Sequence, residues 1–86
     1  MDALQNDVAL IVGAGDGLSA SIARRFARAG LRIALAARST SKLSELAKEI
    51  DASVFKCDAA MPDQVARLFA KVEQDMGAPD VVVYNP

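Results

Sequence analysis

Val8-Ala9-Leu10-Ile11-Val12-Gly13-Ala14-Gly15-Asp16-Gly17-Leu18-Ser19 is the stretch that decides the fold. Its first five residues form an apolar run, short enough for a strand buried on both faces. Three glycines then interrupt the run. From Leu18 the period changes, and Leu18, Ile22, Phe26 and Ala29 recur at helical spacing. Gly30 stands where a helix C-cap would lie. A strand, a glycine-rich turn and a helix in that order bring the helix N-terminus to the turn, where its N–H groups and dipole favour an anion such as a dinucleotide pyrophosphate. Side chains would block that approach, which is why glycine suits a turn that phosphate must reach. The glycines alone are a weak signal; their place between a buried strand and an amphipathic helix strengthens it. A left-handed turn that merely joins the two elements is the plainer alternative.

The same alternation runs outward along the chain. Residues 33–37 form a second apolar run, followed by Arg38-Ser39-Thr40-Ser41, any of whose three hydroxyls could cap a helix. Leu43, Leu46, Ala47 and Ile50 repeat the helical period. Residues 53–57 read as a third strand, with Val54 and Phe55 as its β-favouring members. Pro62 fits the first turn of a third helix, whose apolar stripe is Val65, Leu68, Phe69, Val72 and Met76. Gly77 and Pro79 end it, and residues 81–84 form a fourth strand. The order β-α-β-α-β-α-β predicts an α/β fold: a Rossmann-type three-layer arrangement around a parallel sheet. With 86 residues, the chain is expected to be one nucleotide-binding domain over 1–86.

Composition narrows the function. Net charge is −1, so no basic field would hold nucleic acid or an anionic membrane. Arg24, Arg25 and Arg28 read as a solvated helix face. There is no histidine, the commonest general base and metal ligand, which speaks against a metal centre. Cys57 is the single cysteine, so no intrachain disulfide forms, and its apolar surroundings predict a buried thiol. The first six residues do not resemble a secretory signal, and no run approaches the ~20 apolar residues of a bilayer span. The expected location is cytoplasmic.

The spacing of Gly13, Gly17 and Ser19 departs from G-x-G-x-x-G and resembles the T-G-x-x-x-G-x-G turn of the short-chain dehydrogenase/reductase family. Val12 stands at the Thr position and Ser19 at the third glycine. Cys57-Asp58-Ala59 after the third strand is similar to a family segment whose Asp lies beside the adenine ring. Asp58 read without that resemblance is a turn or capping residue before Pro62. Asp80-Val81-Val82-Val83-Tyr84-Asn85-Pro86 resembles the family's D-I-L-V-N-N-A-G run. Asp80 and Asn85 match; Tyr84 replaces the first Asn and Pro86 the Ala. Tyr84 has no lysine four residues on and reads as a side chain packing at the strand end.

The resemblance implies strand order 3-2-1-4 and an oxidoreductase that moves hydride to or from a carbonyl or alcohol of a small-molecule substrate. The family's catalytic Ser and Tyr-x-x-x-Lys lie further along than residue 86, so no catalytic residue is expected here. The implied cofactor-binding set is Gly13, Gly15, Asp16, Gly17, Leu18, Arg38, Asp58, Ala59 and Asn85. Arg38, with no carboxylate nearby at the end of the second strand, favours NADP over NAD, because guanidinium pairs with a 2′-phosphate. Asp16 argues the other way. A bare fourth strand predicts a homo-oligomer formed through that edge, or further elements that cover it. Two other readings remain at this stage: a non-catalytic dinucleotide-binding or sensing module, and another Rossmann user such as a methyltransferase or flavoprotein. A methyltransferase would carry an acidic residue where Ala37-Arg38 stands.

Overall fold

The computed structural model describes residues 7–14 and 17–85. Val8–Val12 forms strand β1, and all five of its residues are buried. The other strands are β2 (Arg32–Ala37), β3 (Ser53–Lys56) and β4 (Val81–Tyr84); the helices are α1 (Gly17–Arg28), α2 (Ser44–Ile50) and α3 (Pro62–Met76). The strands form one parallel sheet in the order β3-β2-β1-β4, as the resemblance implied.

Alternation along the inner strands builds two cores. Ala9 and Ile11 of β1 and Ile33 and Leu35 of β2 meet Ala23 of α1 and Leu46 of α2 on one face. Val8, Leu10, Val12, Ala34 and Ala36 meet Leu68 and Val72 of α3 on the other. A fully buried Leu or Ile contributes about 2 kcal/mol over its exposed state, so the load rests on Leu10, Ile11, Ile33 and Leu35, the large side chains fully buried in the inner strands. The edge strands are less covered. Val82 of β4 is 44% exposed.

The face of α1 differs from the expected stripe. Its buried residues are Ser19 and Ala23, while Leu18 is 65% exposed. Ile22, Phe26 and Ala27 flank the contact, half-buried. Small side chains at the contact line let the helix lie close to the sheet, which moves the packing face round from Leu18. The hydroxyl caps predicted before α2 are also absent. The chain enters through a 3-10 turn, Ser41–Leu43, whose Thr40 cap makes no side-chain bond. Ser44 Oγ instead donates back to the Ser41 carbonyl at 3.1 Å. β3 stops at Lys56, although the Cys57 N–H still donates to Ala37 at 3.0 Å.

Element ends follow backbone chemistry. Gly30 (φ 94°) and Gly77 (φ 103°) occupy the left-handed half of the map after α1 and α3. α2 ends on Asp51 at φ 55°, a conformation that Asp tolerates better than most side chains. No basic residue lies in the last turn of α3, and Arg32 from the start of β2 donates to its Met76 carbonyl at 2.9 Å. On the solvated face, Arg24 pairs with Glu49 at 2.7 Å. That bond raises the arginine's pKa and lowers the glutamate's.

Asp80 closes the lower end of the sheet. Its Oδ2 accepts the Val8 N–H and its own N–H donates to the Val8 carbonyl, both at 2.8 Å. This accounts physically for the Asp that opens the 80–86 segment: it holds β4 in register with β1 and lies away from the strands' carboxyl ends. Asp80→Ala is expected to cost about 1–2 kcal/mol, since a part-buried N–H loses a charged acceptor. In a domain this size that lowers Tm by roughly 4–16 °C, while Asp80→Asn keeps an acceptor and loses less. Thermal unfolding by circular dichroism checks this; a shift under about 1 °C for the alanine variant refutes the role.

Candidate functional site

The carboxyl ends of all four strands meet at one open groove of about 430 Å³. Such crevices, where strand order reverses around β1, are the usual ligand position in open parallel sheets. Gly13 follows β1 and Asn85 follows β4, so the groove spans that reversal. Arg38, Ser39 and Lys42 supply the wall beyond β2. Asp58, Ala59 and Ala60 supply the wall beyond β3.

The β1–α1 turn is held by backbone geometry. Gly13 has φ 84°, a conformation that glycine adopts without steric cost. Its N–H and that of Ala14 donate to the Ala36 carbonyl at 2.8 and 3.1 Å. Ser19, at 0% exposure, donates from Oγ to the Gly13 carbonyl at 3.3 Å. The same Oγ accepts from Asn85 Nδ2 at 3.1 Å, and the Asn85 N–H donates to Val12 at 2.9 Å. Ser19 thus links turn, helix and β4. A Cβ built on Gly17 meets nothing within 4 Å. The protein's own packing therefore does not demand glycine at the start of α1, and the space over it is open to a group from outside. The first turn of α1, Gly17 to Ala20, carries no acidic side chain.

The β3–α3 wall is a tight turn. Asp58 Oδ1 accepts the Ala60 N–H at 3.0 Å, and the Asp58 carbonyl accepts the Met61 N–H at 3.0 Å. The Asp58 N–H donates to Gln64 Oε1 at 2.9 Å. Asp58 therefore builds the turn, as one of its readings held, but it does not cap α3, whose cap residue Met61 makes no side-chain bond. A carboxylate has acceptor capacity beyond one bond, so the turn role leaves room for an amino group. Cys57 is 2% exposed at the base of the groove. Burial first, and Asp58 second, push its thiol upward, which keeps it protonated and unreactive at neutral pH.

The structure brings together Gly13, Arg38, Asp58, Ala59 and Asn85 of the expected set. Gly17 and Leu18 stand in the first turn of α1, outside the groove lining. Gly15 and Asp16 lie outside the described residues. Ser39, Lys42 and Ala60 also line the groove and were missed. For Lys42 the signal was present in the polar run that follows β2, four residues beyond Arg38. Among the described residues there is no group of three side chains able to hold a metal ion. None of their helices is long and apolar enough to cross a membrane.

Known proteins share this arrangement. The model of the short chain dehydrogenase family matches residues 7–86. An uncharacterized oxidoreductase of Caenorhabditis elegans is 38% identical over 95% of this chain and 28% of its own length. A short-chain type dehydrogenase/reductase from Mycobacterium marinum superposes with TM-score 0.87 at 33% identity, covering 92% of this chain and 34% of the other. A variant of actinorhodin polyketide ketoreductase, crystallised with NADPH, gives TM-score 0.87 at 33% identity over 99% of this chain and 34% of the other. The chain spans about three tenths of the length of the curated relatives it matches.

Proposed function

Because this chain belongs to the short-chain dehydrogenase family, we propose that its groove binds the adenosine half of NADP(H) for an oxidoreductase. The reaction moves hydride between the nicotinamide and a carbonyl or alcohol of a small-molecule substrate. One observation carries the reading. Arg38 and Lys42 stand together at the end of β2, in the same groove as Gly13 and Asn85, and no carboxylate lies at that strand end. A 2′-phosphate there meets two cations, one able to bind it in a bidentate fork.

The chain's own residues bind and orient. The turn at Gly13 and the open start of α1 would receive the pyrophosphate. Asp58 and Ala59 would face the adenine, and Asn85 would hold the β4 side of the site. When bound, the cofactor supplies the hydride. No residue of this chain is assigned to proton transfer. The ketoreductase crystallised with NADPH supports the choice of phosphate. The dehydrogenases and oxidoreductases among the relatives favour an enzyme over a sensing module. The same family match sets aside a methyltransferase or flavoprotein. The domain is proposed to serve as the cofactor-binding part of a cytoplasmic enzyme that assembles with further copies or further chain along the β4 edge.

Titration with NADPH and NADH, followed by nicotinamide fluorescence, tests the reading. Saturable binding with NADPH tighter by about tenfold, or ~1.4 kcal/mol, is expected. Binding of neither cofactor, or tighter NADH, overturns it.

A further inference from the structure

Tyr84 is the residue at which this chain departs from the family's paired asparagines, and the structure gives it a contact that strand-end packing does not explain. It ends β4 opposite Val12, on the face that α3 covers. Its side chain is 56% exposed, yet its hydroxyl donates to the Ala59 carbonyl at 2.8 Å. β3 and β4 are the two opposite edges of the sheet. The bond therefore ties the end of one edge strand to the loop that follows the other. Within residues 58–61 the other bonds run to residues at most six positions away, through Asp58, Ala60, Met61 and Gln64, while the start of the loop is held to β2 by the Cys57 N–H on the Ala37 carbonyl. Those bonds shape the turn and anchor its first residue; the Tyr84 hydroxyl adds a tie from β4 to the middle of the wall, at the Ala59 carbonyl.

We propose that Tyr84 is a positioning residue for the adenine end of the cofactor: through Ala59 it fixes the place of the Asp58–Ala60 wall across the mouth of the groove. The inference rests on the dinucleotide reading of that groove. The bond lies at the surface, where water replaces a lost partner at little cost to folding. Its effect falls instead on the order of a loop that a ligand must otherwise immobilise for itself.

Tyr84→Phe removes the hydroxyl and keeps the ring. Three measurements on the full chain are compared with the unaltered protein: Tm, amide hydrogen exchange at Ala60 and Met61, and affinity for adenosine 2′,5′-bisphosphate and 5′-AMP. The expected result is an unchanged Tm, faster exchange confined to the 58–61 loop, and nucleotide affinity lower by about three- to tenfold. Unchanged exchange and affinity overturn the proposal and leave the cofactor reading intact. A fall in Tm with exchange raised throughout the sheet also overturns it, by assigning Tyr84 to general stability. If the unaltered chain binds neither nucleotide, the cofactor reading and this proposal fall together.

Discussion

A Gly13→Val chain binds neither NADPH nor NADH at concentrations that saturate the unaltered protein. Gly13 sits at φ 84°, where a β-branched residue is strained by about 1–3 kcal/mol. The turn cannot easily rotate out of that strain. The Gly13 N–H is held by Ala36 and its carbonyl by Ser19. An isopropyl group would also stand in the groove that Gly13 lines. Both effects act together, so the variant's Tm is measured first; each kcal/mol lowers it by roughly 4–8 °C in a domain this size. Gly13→Ala is the graded control, with similar backbone strain and less bulk. Calorimetric titration of the folded variant decides the matter. Affinity within about threefold of the unaltered chain, less than 1 kcal/mol, would remove Gly13 from the phosphate-binding turn.

Arg38→Glu is expected to reverse the choice between cofactors. The guanidinium of Arg38 lies at the end of β2, exposed, and needs no folded-state partner in the groove to reach a 2′-phosphate. Losing one charge-assisted bond costs about 1.5–3 kcal/mol, so NADPH affinity falls by about 10- to 150-fold. The introduced carboxylate adds repulsion to a phosphate and can accept a bond from a ribose hydroxyl. NADH affinity is therefore unchanged or improved. Lys42→Ala should weaken NADPH less, because an ammonium on a flexible stem acts as a point charge. Raising salt should narrow the NADPH-to-NADH ratio in the unaltered chain more than in the Glu variant. An unchanged ratio in Arg38→Glu would show that another group reads the phosphate.

The elements were largely legible in the sequence because they are written in consecutive residues. Val8–Val12 carries five apolar side chains in a row and is buried throughout. Pro62 marks the first turn of α3, and Gly30 and Gly77 mark helix ends with positive φ. Where reading failed, a neighbour in space had decided the outcome. Leu18 fits the helical period, but the close approach of α1 through Ser19 and Ala23 leaves it in solvent. The hydroxyls before α2 were plausible caps until the 3-10 turn placed them elsewhere.

The candidate site divides in the same way. Gly13, Arg38, Asp58 and Asn85 each follow a strand, so the chain order alone gathers them at one end of a parallel sheet. That much follows from periodicity, because parallel strands joined by helices all point their carboxyl ends the same way. The bonds between them do not. Ser19 receives Asn85 from 66 residues away, and the Tyr84 hydroxyl reaches Ala59 across the width of the sheet. Such contacts depend on how closely helices settle on the strands, which is set by the summed packing of two cores and by no single stretch of chain. Local pattern determined that Gly13, Arg38, Asp58 and Asn85 face the groove; tertiary packing decided which further residues line it and which of them hold it in shape.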